Sequence, residues 1–336
     1  MTVFACLDCG EPHRGVSHFR CQSCGGIYGL RAGIHFDPKR IETTQPGIWR
    51  YRQTFGLPEN APVLHLGEGG TPLVAAEVDG FPIWLKLESS NPTGSYKDRL
   101  ASVMVSLLAA EGVESAVEDS SGNAGAAFAA FCARAAIQAR VFIPESAAGP
   151  KRAQIERFGA EVVAVPGPRQ AAAEAVLAEA DRGAVYASHA FLPHGLTGVA
   201  TIAYELVDQL GCAPGVVITP VGHGGLLLGI VLGFQAMQAA GVIKGLPNFI
   251  GVQAAENAPL WAASKSQQFQ PGNTIAGGIA VTDPVRAPEL LKLHRMGVVN
   301  IGTVNEEEIR AGQRVLTHQG FDAELTSSVV VDAYRQ

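Results

Sequence analysis

From about residue 63 to the C-terminus, short apolar runs alternate with longer alanine-rich runs. Ala139 to Ile143 and Glu161 to Val165 have strand length, whereas Ser95 to Ala110 carries Leu100, Val103, Met104 and Leu107 at helical spacing. Two adjacent strands running the same way need a crossover of about a dozen residues or more between them, usually a helix. The pattern therefore predicts βαβ units, with a parallel sheet covered by helices on both faces.

Read in order, Pro82 to Leu87 is a strand, Ser95 to Ala110 a helix and Ser115 to Glu118 a short strand. A turn over Ser120 to Gly125 leads into a helix of small residues, Ala126 to Ala136. Strand Ala139–Ile143 is closed by Pro144, and helix Lys151–Phe158 is stopped by Gly159. Strand Glu161–Val165, helix Gln170–Ala180 and strand Val185–Ser188 complete this set. A second set has helix Thr201–Leu210, strand Val216–Thr219, a glycine turn, helix Leu226–Ala239 and strand Phe249–Gln253. Ligands of such sheets sit beyond the carboxyl ends of strands, near helix N-termini, and both glycine-containing turns lie there.

A length of 336 residues suggests two domains at roughly 100–200 residues each, with a small appendage. The net charge of −6 and the lack of a basic run argue against a nucleic-acid partner. The N-terminus lacks the basic start and apolar run of a signal peptide. The most apolar stretch, Leu226 to Phe234, is too short for a bilayer and contains Gly229 and Gly233. The expectation is a cytoplasmic protein with no membrane contact. Residues 34 to 62 form a connecting arm in which Pro38, Pro46, Pro58 and Pro62 interrupt any long helix.

The segment Asn91-Pro92-Thr93-Gly94-Ser95-Tyr96-Lys97-Asp98-Arg99 starts a helix directly after a strand. Ser95 suits its N-cap and Asp98 its first turn. An arbitrary lysine is a solvated one, but this placement makes Lys97 a candidate for chemistry. The motif resembles the cofactor-lysine motif of fold-type-II pyridoxal-phosphate (PLP) enzymes, the tryptophan-synthase-β-like group, and threonine synthases above all. These usually have Phe where this chain has Tyr96. The resemblance runs from Gly67-Glu68-Gly69-Gly70-Thr71-Pro72-Leu73 almost to the C-terminus. It implies that Lys97 holds PLP as a Schiff base beside Tyr96, and that the freed amine takes the substrate's α-proton.

Two further turns acquire roles from the same resemblance. Ser120-Ser121-Gly122-Asn123-Ala124-Gly125 could be an ordinary turn or a nest of N–H groups aimed at an anion. The resemblance gives Asn123 the 3-hydroxyl of the cofactor ring, and places the substrate carboxylate at Ser120, Ser121, Asn123 and Ala124. Pro220-Val221-Gly222-His223-Gly224-Gly225-Leu226 is not a Walker A loop, because no Gly-Lys-Ser/Thr follows. By resemblance Gly222, His223, Gly224, Gly225 and Leu226 cradle the PLP phosphate at a helix N-terminus. His223 departs from the Gly or Asn usual there. Glu324-Leu325-Thr326-Ser327-Ser328 matches a C-terminal segment whose hydroxyl partners the ring nitrogen. That is Thr326, with Ser327 as the alternative.

Cys6, Cys9, Cys21 and Cys24 form two Cys-x-x-Cys pairs in a zinc-ribbon-like spacing. Four thiolates would close a structural zinc site and stabilise a region poor in aliphatics. Redox pairs and unliganded thiols are the alternatives. His13 and His18 read as surface residues. Cys132 and Cys212 stand alone in apolar surroundings and read as core.

The implied architecture is α/β, with two open, mostly parallel sheet domains, the active site between them and a small N-terminal zinc ribbon. The expected division is 1–33 for the ribbon, 34–100 and 190–336 for a large PLP domain, and 101–189 for a small α/β domain. The implied activity is a PLP-dependent lyase of amino-acid metabolism acting on a small amino acid. As in threonine synthase, it would eliminate phosphate from O-phosphohomoserine and add water. Pro193-His194-Gly195-Leu196-Thr197-Gly198-Val199 lacks the Arg and Gln that threonine synthases place here, and Thr274 to Val281 looks more like a dehydratase segment. Serine/threonine dehydratase and β-replacement are therefore the alternatives, followed by a non-catalytic binding paralogue. Relatives are commonly homodimers.

Overall fold

The computed structural model describes residues 3–336, so the first two residues of the expected ribbon lie outside the described residues. Along the chain come β1 (Phe4–Cys6), β2 (Tyr28–Leu30), β3 (Leu73–Val78) and β4 (Phe81–Lys86), then α1 (Lys97–Ala110), β5 (Ser115–Glu118) and α2 (Asn123–Ala135). Next are β6 (Gln138–Pro144), α3 (Pro150–Arg157), β7 (Glu161–Val165), α4 (Arg169–Asp181) and β8 (Val185–Tyr186). The remainder is α5 (His194–Leu210), β9 (Val216–Pro220), α6 (Gly225–Ala239), β10 (Asn248–Ala254), α7 (Pro259–Ser264), α8 (Ala287–Arg295), β11 (Val299–Val304), α9 (Glu306–His318) and α10 (Leu325–Arg335). Among the described residues no helix is long and apolar enough to cross a membrane.

The chain forms two compact units, one of Met1–Thr71 with Glu88–Thr201, the other of Pro72–Leu87 with Ile202–Gln336. The expected three-part division draws these lines elsewhere. It assigned 34–71, 88–100 and 190–201 to the large domain, whereas here they fall in the first unit.

The first unit is built on a sheet of order β7-β6-β5-β8, parallel throughout. Central β5 buries Ala116, Val117 and Glu118 completely or nearly so. α1 and α2 pack together, and the small residues of α2 permit the close approach. The 34–62 arm is packed rather than merely connecting, because its aromatic residues find a core. Trp49 and Phe55 are fully buried, and the Trp49 indole N–H points at Leu64 O, Glu68 Oε1 and Ser102 Oγ, all within 3.2 Å.

The cysteine-rich segment is anchored to the same unit. β1 pairs antiparallel with β2. The Phe4 ring centroid lies 3.7 Å from that of His194, and Val16 N–H donates to Glu111 Oε2 at 3.0 Å. His13 is not a surface residue: its ring packs between Tyr28 (4.4 Å) and His194 (5.4 Å). Burial lowers its pKa to about 4, while His18 is exposed as expected.

The second unit has a parallel sheet of order β11-β10-β9 and a separate antiparallel hairpin of β3 and β4. α6 is buried along most of its length. α9 starts with a reciprocal capping box between Asn305 and Glu308. The hairpin is tied to the last two helices by Gln319, bonded to Glu77 N and O, and by a two-pronged Arg335–Asp79 ion pair at 2.7 Å. α5 begins at His194 rather than Thr201, and Cys212 is exposed rather than core. Cys132 is fully buried as expected.

Candidate active site

In the first unit the Lys97 loop is held from both sides of the lysine. Asp98 is fully buried, and its carboxylate accepts from Thr93 N–H at 2.7 Å and Thr93 Oγ1 at 2.5 Å. Burial raises the Asp98 pKa to about 6, against the pull of those hydrogen bonds. Arg99 is also fully buried. Its Nε and Nη2 pair with the Glu88 carboxylate at 2.8 and 2.9 Å, Nη1 donates to Thr201 Oγ1 and Nη2 to Thr71 Oγ1. Asn91 closes the network by donating to Glu88 and accepting from Gly69 N–H at 3.0 Å. Between these two anchors Lys97 stays half-buried, with Nζ 4.9 Å from the Tyr96 ring centroid. The cap residue is Tyr96, not Ser95, whose Oγ accepts the Lys97 N–H at 3.3 Å.

The serine loop follows β5 in the same unit. Ser120 is buried, Ser121 and Asn123 are half-buried, and Ala124 is buried in the first turn of α2. A helix cannot satisfy its first backbone N–H groups internally, so this turn offers donors. The loop folds tightly back on the helix: a Cβ at Gly125 would lie 1.9 Å from Ser120 O. Gly125→Ala must therefore displace the loop. It is expected to destabilise the fold by about 1–3 kcal/mol, read as a lower thermal midpoint, and to weaken binding of a carboxylate substrate.

Strand β5 also brings a cluster that the sequence reading did not single out. Glu118 is fully buried and is hydrogen-bonded to His189 Nδ1. Asp119 accepts from Tyr186 Oη at 2.7 Å and faces Arg169. Lys97 bears electrostatically on both Glu118 and His189. The only sequence signal was the acidic pair preceding Ser120.

In the second unit, Val221 N–H continues the ladder to Val252 O, and the chain then turns into α6. Gly224 has φ +93°, and a Cβ there would approach Leu290 to 2.7 Å. A Cβ at Gly222 would meet Gly278 O at 3.1 Å. His223 O accepts from Arg286 N–H, which leaves the backbone of Gly225 and Leu226 opening the helix. Gly278 N–H donates to Thr326 Oγ1 at 3.0 Å, so the 3-10 turn Gly277–Ile279 lies against both the glycine turn and Thr326. Thr326 occupies the first turn of α10 behind the cap residue Glu324, and an open cavity of about 450 Å³ lies beside it. Thr326 is thus held by a segment, 274–281, that sequence reading had used only to compare reactions.

The four thiols converge. Cys6 and Cys24 Sγ are 3.4 Å apart, Cys9 and Cys21 Sγ 3.6 Å, and all four lie within 4.8 Å of one another. Gly10 and Gly25, with φ +81° and +75°, close the two turns by donating to Cys6 O and Cys21 O.

Comparison with known proteins adds independent findings. A family model described as pyridoxal-phosphate dependent enzyme matches residues 64–336. The threonine synthase of Methanosarcina acetivorans is 30% identical over 348 residues, covering 98% of this chain and 85% of that protein. The threonine synthase of Mycobacterium tuberculosis is 33% identical over 302 residues, covering 88% and 83%. Among solved structures, a pyridoxal 5'-phosphate-dependent aspartate racemase superposes with a TM-score of 0.68 at 25% identity, covering 79% of this chain and 84% of that one. The threonine deaminase of T.th. gives 0.67 at 25% identity, covering 79% and 87%.

Proposed function

The chain belongs to the pyridoxal-phosphate dependent enzyme family, and on that premise we propose that it is a lyase that releases phosphate from O-phosphohomoserine and adds water, as a threonine synthase does. The observation that supports this over deamination is coverage. The similarity to the Methanosarcina threonine synthase extends over 98% of the chain, cysteine-rich segment included, whereas the structures of the threonine deaminase and the aspartate racemase match 79%.

The residues present fit the cofactor. Gly222 and Gly224, packed closely by Gly278 and Leu290, form a bare-backbone turn that opens a 15-residue helix, and the unpaired N–H groups of a helix N-terminus suit a phosphate. Lys97 would hold the aldehyde carbon beside Tyr96, and Asn123 the ring hydroxyl. Gly222, His223, Gly224, Gly225 and Leu226 would hold the phosphate, and Thr326 Oγ1 the ring nitrogen. Bound PLP supplies a conjugated system that takes up the electron pair left when the substrate's α-proton departs.

The chain's own residues do the rest. The N–H groups and hydroxyls at Ser120, Ser121, Asn123 and Ala124 orient the substrate carboxylate. Lys97 Nζ, freed by the substrate amine, accepts the α-proton and later returns a proton. Thr326 accepts from Gly278 and has its own proton left to donate. A neutral hydroxyl does not hold a ring nitrogen protonated as a carboxylate would, which favours elimination over transamination.

Purified protein is expected to be yellow, to lose its visible band on borohydride treatment, and to release inorganic phosphate from O-phosphohomoserine. Keto-acid formation from serine or threonine without phosphate release would replace this reading with dehydratase chemistry. Light scattering and cell fractionation test the accompanying expectation of a cytoplasmic homodimer.

The donor set of four converged thiols fits zinc, a closed site with no open position and hence a structural role. One zinc per chain is expected by metal analysis. Its removal by a chelator, or Cys9→Ser, is expected to expose the amides of residues 3–33 to hydrogen exchange while α6 and β10 stay protected.

A further inference from the structure

Within the first unit, the cysteine-rich segment reaches toward the serine loop through an aromatic contact. Tyr186 lies on β8, a strand of two residues at the edge of the sheet β7-β6-β5-β8. Its ladder is correspondingly short: Ala116 and Val117 of β5 pair with Val185 and Tyr186, and Ala187 N–H donates to Val117 O at 2.9 Å. A strand held by so few ladder bonds depends on side-chain packing for its placement. Phe19 supplies part of that packing. Its ring stands edge-on to Tyr186, with centroids 5.2 Å apart and planes at 71°, and to Phe191 at 5.3 Å and 74°. Edge-to-face contact at these distances is a favoured arrangement of aromatic pairs. Arg20 extends the cover, its guanidinium carbon lying 4.7 Å from the Phe191 ring centroid.

Tyr186 in turn fixes the residue before the serine loop. Its Oη donates to Asp119 Oδ1 at 2.7 Å, and both residues are buried. Burial, and then the Asp119 charge, holds the phenol well above its ordinary range, so the hydroxyl keeps its proton. From α4, Arg169 donates to Asp119 O at 3.0 Å and places Nη2 3.7 Å from Oδ2. Asp119 is thereby held by side chain and backbone together, and Ser120 follows it directly.

We propose that Phe19 and Tyr186 are positioning residues for the serine loop: Phe19 sets the ring of Tyr186, the Tyr186 hydroxyl sets Asp119, and Asp119 sets where Ser120 begins. The proposal rests on the reading of that loop as the seat of the substrate carboxylate. It gives the cysteine-rich segment a task besides its own folding, since the chain that brings Cys21 to the other thiols also carries Phe19. The segment has separate anchors in Phe4 on His194 and Val16 on Glu111, so loss of the Phe19 ring leaves it attached.

The test follows amide hydrogen exchange over residues 117–126 of the full chain, without substrate. Tyr186→Phe removes a single oxygen and is expected to speed exchange there by about tenfold. Phe19→Ala is expected to speed it by about threefold to fivefold, while residues 91–99 keep the parent's rates. Phe19→Tyr keeps the aromatic edge and should exchange like the parent. On the Tyr186→Phe background, Phe19→Ala should add less than about twofold, because the hydroxyl through which it acts is gone. Should Phe19→Ala not fold, Phe19→Leu takes its place. With O-phosphohomoserine, Tyr186→Phe is expected to raise KM by about tenfold with kcat within about twofold of the parent, as loss of a binding contact does. Unchanged exchange, effects that multiply in the double variant, or a parent-like KM in a variant that turns over would overturn the proposal. If O-phosphohomoserine is no substrate at all, the exchange rates decide alone, so failure of the phosphate-release reading is told apart from failure of this one.

Discussion

Lys97→Ala is expected to reduce turnover by about 10³-fold or more and to leave a protein that borohydride cannot label. The expectation follows from how the residue is held. Asp98 and Arg99 on one side, and Thr93 through Asp98 on the other, are buried and bonded, so the backbone carrying Lys97 is fixed independently of its side chain. Truncating a half-buried lysine there removes an amine without opening the core. The variant should therefore match the parent in thermal midpoint and circular dichroism. Turnover within tenfold of the parent would exclude Lys97 as the base that serves the substrate.

Arg99→Ala should do the opposite: it leaves Lys97 in sequence but removes the post behind it. The guanidinium is fully buried and satisfies Glu88, Thr71 and Thr201 together. Removing one partner leaves the Glu88 carboxylate facing an emptied space, with an expected destabilisation of about 3–5 kcal/mol. Denaturant unfolding measures this directly. Arg99→Lys should recover only part of it, because one ammonium cannot reproduce the forked contact with Glu88. Arg99→Ala combined with Glu88→Gln should be less destabilised than Arg99→Ala alone, since no buried charge then stands unpaired. A double variant as unstable as the sum of the two singles would show that the coupling is absent.

The parts legible in the sequence were those where one physical signal dominated. β5 over Ser115–Glu118 and β7 over Glu161–Val165 fall where short apolar runs meet turn residues. α5 starts at His194 rather than Thr201, through a stretch that holds Gly195 and Gly198. In the structure those glycines serve contact: a Cβ at Gly195 would lie 2.5 Å from Leu100, and one at Gly198 2.1 Å from Arg99 O. Helix propensity was overridden by packing, which no local pattern reports. The candidate site was legible as separate motifs, Lys97, Ser120–Gly125 and Gly222–Leu226. What joins their parts was not. The contacts of Arg99 with Thr201, Glu118 with His189 and Thr326 with Gly278 join residues 48 to 102 positions apart, which no local pattern reports, and even the Thr93–Asp98 contact, five positions apart, depends on the fold of the loop. Cys212 and His13 erred in opposite directions for the same reason, since exposure of a single residue is set by partners distant in sequence.

The β3–β4 hairpin, residues 72–87, is secured by Gln319 and Arg335, partners more than 240 positions downstream. A ribosome delivers those partners more than 240 residues after the hairpin residues they bind. At translation rates of about 5–20 residues per second, the hairpin waits on the order of 10–50 s for its anchors. Throughout that interval Phe81 and Trp84, which remain exposed even in the finished fold, lie on an open strand edge. The bonded hairpin residues therefore precede their anchors by more than 240 positions, so nascent chains stalled between residue 87 and residue 319 are expected to be the ones that chaperones capture.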